Sequence, residues 1–309
     1  MKIVFMGSAD FGIPTLEFLR KSEEVVAVVS TPPGHKGRGL KLHDSPVSQY
    51  AKQHDVEPVI TPPTVKDPAF IEQLRTLEAD LFVVVAYRLL PPEVFSIPKL
   101  GTVNIHASLL PKYRGAAPIQ RAIQAGESET GVTVFRIDEG IDTGEILLRK
   151  KIAIGSQEST PQLYERLSLL GAEALKEAVD GLKNEDLEPL KQDHTQALPA
   201  PKLKREEGHI RWNQSAQAIY NRIRAFKPFP GTYSFYDGKR LGIEWAQPQS
   251  DCESTFEPGQ ITGVSKSSFS VKCAQGCLRV LEVKPEGRKC MSVEAFLLGN
   301  KLNKGTELL

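Results

Sequence analysis

Over the first 185 positions, apolar runs of about six residues alternate with longer stretches of helical periodicity. Lys2–Met6, Val25–Ser30 and Leu81–Ala86 are nearly all apolar, as expected of parallel strands covered on both faces. Between the first two, Ile13, Leu16, Phe18 and Leu19 fall at helical spacing and predict a helix to about Arg20. Ser45–Gln53 reads as a second helix and Glu57–Ile60 as a short strand. Asp67-Pro68 opens another helix, an N-cap followed by proline at the first helical position. Thr102–His106 is a further strand, and Gly115–Ala125 a helix. Gly131–Ile137 and Glu145–Ile154 are two more strands, joined by the turn Asp138–Gly144. Thr160-Pro161 then caps a long helix, with Leu163, Leu167, Leu170 and Ala174 on one face and Gly181 at its end. Strands alternating with helices predict an α/β fold, a Rossmann-like doubly wound and mostly parallel sheet.

The pattern changes near residue 190. Lys191–Pro201 holds Pro199 and Pro201 and has no periodicity, so 191–204 is expected to link a domain at 1–190 to one at 205–309. Ser215–Phe226 is a single helix carrying Arg222 and Arg224, with Lys227 just beyond it. Short strands at about 232–237, 240–246, 259–264, 268–273 and 277–283 predict a small C-terminal β-barrel, OB-like in scale. Such a scaffold does not by itself assign a function.

Composition narrows the class. With 309 residues, 40% hydrophobic and 25% charged, the chain can build two cores and has an ordinary globular balance. No apolar run approaches the ~20 residues of a membrane helix, and Met1–Gly7 meets Asp10 too soon to be a secretory signal. A cytoplasmic monomer with no membrane partner is expected. The net charge of +1 conceals an asymmetry. Residues 201–309 carry 17 Lys and Arg against 11 Asp and Glu, whereas residues 1–200 carry 22 against 27. A basic second domain suits a polyanion. The cysteines, at 252, 273, 277 and 290, form no disulfide framework. Cys273-Ala-Gln-Gly-Cys277 lacks the second close pair a structural zinc wants, and reads instead as the flanks of a hairpin turn at Gln275-Gly276. No metal is expected.

The turn Gly7-Ser-Ala-Asp-Phe-Gly12 is neither Gly-x-Gly-x-x-Gly nor a Gly-Lys-Ser/Thr loop, which argues against nucleotide phosphate binding. Thr31–Lys41 contains two prolines and three glycines, against regular structure, and carries Lys36, Arg38 and Lys41. Arg114 reads either as a surface ion-pair residue or as a planar fork for a carboxylate or phosphate.

Candidate chemistry gathers at Val103–Gln120. Asn104 and His106 are two residues apart on a strand, so their side chains share one side, at the point where the strand gives way to a loop. The Asp138–Gly144 turn offers the Asp142 carboxylate to the imidazole. A carboxamide is a fixed donor, an imidazole exchanges protons near neutrality, and a carboxylate can fix its tautomer. Those three groups suffice for acyl transfer to an amine, where the amine itself is the nucleophile. Taken singly, each also has a plain structural role: a core histidine, a turn aspartate, a capping asparagine.

The run Asn104-x-His106-x-Ser108-Leu-Leu-Pro111, with Asp142 in Asp-Thr-Gly, resembles the formyltransferases that use 10-formyltetrahydrofolate. Tyr113-Arg-Gly-Ala-Ala-Pro-Ile-Gln120, Arg222–Gly231 and Pro285–Phe296 are most similar to those members whose acceptor is methionyl initiator tRNA. This resemblance implies catalysis at Asn104, His106 and Asp142. It implies a folate pocket walled by Ser108, Leu109, Leu110, Pro111, Tyr87 and Arg88, within a Rossmann-like shell that holds no dinucleotide. It also implies tRNA contacts from Lys36, Arg38 and Lys41, and the basic C-terminal domain adds Arg222, Arg224 and Lys227. Two rivals share parts of this pattern: a formyltransferase or hydrolase acting on a small molecule with the same core, and a non-enzymatic nucleic-acid binder.

Overall fold

A computed structural model describes residues 1–36, 41–251 and 255–309. The chain folds as two compact units, one of residues 1–118, 129–153 and 164–200, the other of 119–128, 154–163 and 201–309. The break after Ala200 falls inside the expected linker, but two segments expected in the first domain belong to the second unit.

In chain order, the elements up to residue 184 are β1 (Lys2–Gly7), α1 (Ile13–Ser22), β2 (Glu24–Val29), β3 (Gly34–Lys36), β4 (Lys41–His43), α2 (Pro46–Gln53), β5 (Val59–Ile60), α3 (Pro68–Thr76), β6 (Leu81–Val85), α4 (Pro92–Phe95), β7 (Thr102–His106), α5 (Pro118–Ala125), β8 (Glu129–Arg136), β9 (Ile146–Ala153) and α6 (Thr160–Asn184). The main sheet runs β5-β2-β1-β6-β7-β8-β9. Its first five strands are parallel, and β8 and β9 are antiparallel, giving the Rossmann-like arrangement. Alternate side chains explain the layering. Val4, Met6, Ala27, Val29, Phe82 and Val84 pack on one face with Phe70 and Leu74 of α3 and Val94 of α4. On the other face, Gly12 lies against Phe5 and Val85, and Gly171 of α6 lies against Ile105. A Cβ at Gly171 would stand 3.1 Å from the Ile105 Cγ2, so the small residue lets helix and strand approach closely.

The direction of winding reverses between β1 and β6, which opens a crevice at their carboxyl ends. The Ser8 hydroxyl donates to the Ala86 carbonyl across this point at 3.0 Å. α5 begins at Pro118 rather than Gly115, because Tyr113 (φ 62°) and Gly115 (φ 118°) take left-handed backbone that a helix cannot use. Regular structure also appears where prolines and glycines argued against it. Gly34–Lys36 pairs with Lys41–His43 as a small hairpin.

The expected linker is another correction. Leu190 exchanges two backbone hydrogen bonds with Ile146 at 2.8 Å, Arg114 N–H donates to Leu198 O at 2.8 Å, and Ala200 N–H donates to Arg114 O. Backbone donors and acceptors paired in this way are those of a built element rather than a solvated tether. Residues 190–200 therefore form a strap across the first unit.

The second unit holds α7 (Ala216–Ala225), β10 (Tyr233–Tyr236), β11 (Lys239–Gln249), β12 (Ile261–Val264), β13 (Phe269–Lys272), β14 (Cys277–Pro285), β15 (Met291–Ser292) and α8 (Val293–Leu297). Its antiparallel strands run β10-β11-β14-β13-β12, with β15 on β14. β11 breaks register on both sides of Trp245, a bulge that bends the strand, and the sheet curls as a half-barrel. Ile219, Tyr220 and Ile223 of α7 fill its concave side against Ile243, Phe269, Val271 and Val280. The final residues bond to both edges. Phe235 N–H donates to Leu309 O, and Ile261 N–H to Thr306 O. The Gln275-Gly276 hairpin forms as expected, with Cys273 N–H bonded to Gly276 O. Cys273 is free and buried, whereas Cys277 is disulfide-bonded, a bond not anticipated from the sequence.

Candidate active site

β7 delivers Asn104 and His106 to the carboxyl end of the sheet. Asn104 pairs with Val84 and Phe135, and His106 with Thr133, so all lie on the same face of their strands. His106 is buried, with its Nε2 2.8 Å from the Tyr113 carbonyl and its Nδ1 3.5 Å from Asp142 Oδ2. A carbonyl only accepts, so Nε2 carries the proton in this arrangement. The contact to Asp142 is too long for a strong hydrogen bond and acts chiefly through charge. Asp142 itself is fixed. Its Oδ2 accepts from Gly115 N–H at 2.8 Å, and its backbone sits in the left-handed region at φ 56°. Asn104 is half-buried, and no hydrogen bond among the described residues engages its carboxamide. The structure thus brings His106 and Asp142 together from two segments, as the sequence suggested, with Asn104 on the same strand.

Ser108, Leu109, Leu110 and Pro111 form the loop that leaves β7. Its polar groups are largely bonded within the protein. Ser108 Oγ donates to Lys112 O at 2.6 Å, and Lys112 N–H to Leu109 O. Thr133 Oγ1, fully buried on β8, donates to Ser108 O at 2.7 Å and accepts from Leu110 N–H at 3.1 Å. Arg149 donates to Leu110 O. Leu110 packs with Phe135 and Ile146 beneath the loop. The loop is thus braced by its own hydrogen bonds and by those from β8 and β9.

Tyr87 and Arg88 follow β6 on the loop beside the crevice. The Tyr87 hydroxyl donates to Ser30 O at 3.3 Å, and burial raises its pKa above the ordinary phenol value. Arg88 donates to the carbonyls of Pro62 and Pro63, which ties the loop to the segment after β5. The β1–α1 turn is filled from within. Phe11 N–H donates to the Tyr164 hydroxyl at 3.0 Å, and that hydroxyl donates to Asp10. Burial and the Asp10 carboxylate keep the phenol protonated well above its usual range. The Phe11 amide in this turn is thus already bonded within the protein. A shallow depression of about 870 Å³ lies at the opposite end of the sheet, by Lys2, Glu24, Arg75 and Lys99, away from His106.

The basic residues divide. Lys41 is exposed on β4, whereas the side chain of Lys36 and all of Arg38 lie outside the described residues. Lys227 sits over the Trp245 ring at 4.9 Å, half-buried. Arg222 donates to His209 O, and burial lowers its pKa, with Arg211 adding to the effect. Arg224 is a correction: at 4% exposure it donates to the carbonyls of Gly155 and Glu158 and to Asn221, so it braces its own unit and is not open to a polyanion.

Three contributors escaped the sequence. Tyr113 acts through its carbonyl, which carries no residue-type signal. Thr133 sits in an apolar-looking strand. Gln192 lies in the presumed linker, yet its Nε2 donates to Asp142 O and Gly144 O, and its Oε1 accepts from Arg114. The Arg114 fork therefore meets a carboxamide rather than a surface anion.

Comparison with known proteins agrees with this architecture. Residues 1–179 match the Formyl transferase family model, and residues 202–301 match Formyl transferase, C-terminal domain. A methionyl-tRNA formyltransferase of Geobacter metallireducens is 44% identical over 100% of this chain and 98% of its own length. One from Caldanaerobacter subterraneus subsp. tengcongensis is 43% identical over 100% of both. Among solved structures, an N-formyltransferase of Helicobacter canadensis, in complex with folinic acid and dTDP-3-aminofucose, shares the fold. It has a TM-score of 0.69 at 20% identity, covering 91% of this chain and 98% of its own. Identity of this order across the whole length, on a Rossmann-like sheet followed by a curled half-barrel, places the chain in the methionyl-tRNA formyltransferase family, enzymes of the transferase class.

Proposed function

We propose that this protein transfers the formyl group of 10-formyltetrahydrofolate to the amino group of methionyl initiator tRNA, giving N-formylmethionyl-tRNA. The observation that carries the reading is the meeting of His106 with Asp142 at the carboxyl end of β7, in a chain that shares over 40% of its residues with methionyl-tRNA formyltransferases. In the reaction the methionyl nitrogen attacks the formyl carbon, the formyl oxygen gains charge, and the bond from that carbon to the folate nitrogen breaks. One proton leaves the amine and one reaches the folate nitrogen.

Each side chain has a part in that sequence. Asn104, whose carboxamide has no competing bond among the described residues, donates to the formyl oxygen. His106 exchanges its Tyr113 carbonyl bond for the reacting groups, stabilises the oxyanion and passes the proton on. Asp142 faces the other ring nitrogen and favours the ring as it takes up positive charge. The Ser108–Pro111 wall and the loop of Tyr87 and Arg88 bound the folate side. Lys41, Lys227 and the partly open Arg222, with Lys36 and Arg38, supply positive charge for the tRNA. An acceptor this large suits the basic second unit better than a small amine does.

The test is formylation of charged initiator tRNA with labelled 10-formyltetrahydrofolate, with free amines and amino sugars as competing acceptors. Formyl methionyl-tRNA should form, and His106→Ala should slow it by roughly 10²–10⁴-fold. Preferred transfer to a small amine, or no transfer from the donor to any acceptor, refutes the proposal.

A further inference from the structure

The strap at residues 190–200 does more than cross the first unit. It touches the backbone on each side of the expected catalytic pair. Leu190 is bonded to Ile146, just after the Asp142 turn, while Leu198 and Ala200 are bonded to Arg114, just after Tyr113. Gln192 lies between these anchors, 7% exposed. Its Nε2 donates to Asp142 O at 3.0 Å and Gly144 O at 2.7 Å. Its Oε1 accepts from Arg114 Nε at 3.2 Å and Nη2 at 2.6 Å. Two N–H groups and two lone pairs are the whole capacity of a primary amide, and all four are used.

We infer that Gln192 is a positioning residue for the His106–Asp142 pair, holding the Asp142 turn and the Tyr113–Gly115 loop in register through one carboxamide. The two sides it joins are those the imidazole needs. The turn supplies the carboxylate facing Nδ1, and the loop supplies the Tyr113 carbonyl on Nε2 and the Gly115 N–H that anchors Asp142 Oδ2. Asp142 holds a left-handed backbone at φ 56°, a conformation that surrounding bonds must maintain. Gln192 bonds the carbonyl of that same residue. Few other side chains can do this. Glutamate accepts from Arg114 but cannot donate to two carbonyls, lysine cannot accept, and asparagine is one methylene short.

The activity arm of the test rests on the proposed formyl transfer, so a second readout is independent of it. Gln192→Glu preserves size and the Arg114 contact while setting a carboxylate against the Asp142 and Gly144 carbonyls. Gln192→Ala removes both sides. In the full-length protein, each should lower kcat roughly 10–100-fold, the scale of a small misplacement of reacting groups. KM for donor and tRNA should stay within about threefold, and the pH profile of kcat should shift. Arg114→Lys, which keeps the charge and loses the fork, should give a smaller change in the same direction. In parallel, NMR of the His106 ring nitrogens, identified by their loss in His106→Asn, should show an altered tautomer signal in Gln192→Glu. A parent protein that formylates nothing would end the functional reading, and the ring signals would still decide this one. Variants with lowered Tm but parental kcat, pH profile and His106 signals would assign Gln192 to stability alone and overturn the inference. If Gln192→Ala does not fold, the isosteric glutamate variant carries the test.

Discussion

Replacing Asp142 by asparagine separates charge from architecture at the proposed centre. Asp142 has two structural duties: accepting Gly115 N–H at 2.8 Å and occupying a left-handed backbone at φ 56°. Asparagine can do both, since its amide oxygen accepts and it tolerates that backbone region better than most residues. What it removes is the negative charge 3.5 Å from His106 Nδ1. When the ring takes up a proton during transfer, that charge is worth about 332/(20 × 3.5), or roughly 5 kcal/mol, at the effective dielectric of a partly buried site. Some water reaches the carboxylate, which is 15% exposed, so this is an upper figure. A loss of roughly 3–4 kcal/mol then corresponds to a 10²–10³-fold slower transfer. The assay is single-turnover formylation of methionyl-tRNA at saturating donor, with Tm measured on the same samples. The rate should fall by that factor, while Tm should stay within about 2 °C and tRNA affinity should be unchanged. A folded variant within fivefold of the parent rate would show that the carboxylate serves the turn and not the imidazole, and the proposed role of Asp142 would fail.

Two further outcomes follow from groups outside the dyad. Thr133→Val leaves Ser108 O and Leu110 N–H without their buried partner, at about 1–3 kcal/mol each, so the urea midpoint should drop and formylation should fall with it; an unchanged midpoint would refute the role of this hydroxyl. In the second unit the Arg121 guanidinium holds the Glu207 carboxyl below its usual range, so the pair's stabilisation is present above about pH 4.5 and is lost as pH falls through the lower folded value. Glu207→Gln should therefore flatten the acid-unfolding limb while lowering stability at neutral pH, and an acid limb identical to the parent's would contradict the assignment.

Much of the fold was legible because its determinants are local. The apolar runs of β1, β2 and β6 need both faces covered whatever surrounds them, and the Asp67-Pro68 start of α3 is decided within three residues. The Asp67 carboxylate does accept Ala69 N–H at 3.0 Å. The elements that differed are set by partners far along the chain. The strap reads as a linker because a proline-containing segment without periodicity can gain order only from what it meets, here Ile146 and Arg114. Arg224 reads as a surface cation because a helix of mixed polarity does not reveal which arginine turns inward. Its partners, Gly155 and Glu158, lie more than sixty residues earlier.

The site divides along the same line. Asn104, His106 and Asp142 could be selected because their side chains are chemically distinctive and because strand alternation and a turn place two of them by short-range rules. What keeps them at working distance is mostly backbone: the Tyr113 carbonyl on the ring, the Gly115 amide on the carboxylate, the Asp142 carbonyl on Gln192. A carbonyl has no letter in a sequence, so these contacts follow only from the path of the chain. That explains why the reacting groups can be read from composition and spacing, while the residues that aim them, Thr133 and Gln192, look ordinary until the fold brings them to the loop. It also fixes where substitutions will be informative. Changes at Asn104, His106 or Asp142 report on the chemical step, whereas changes at Thr133 or Gln192 report on how closely that step depends on the aim of its groups.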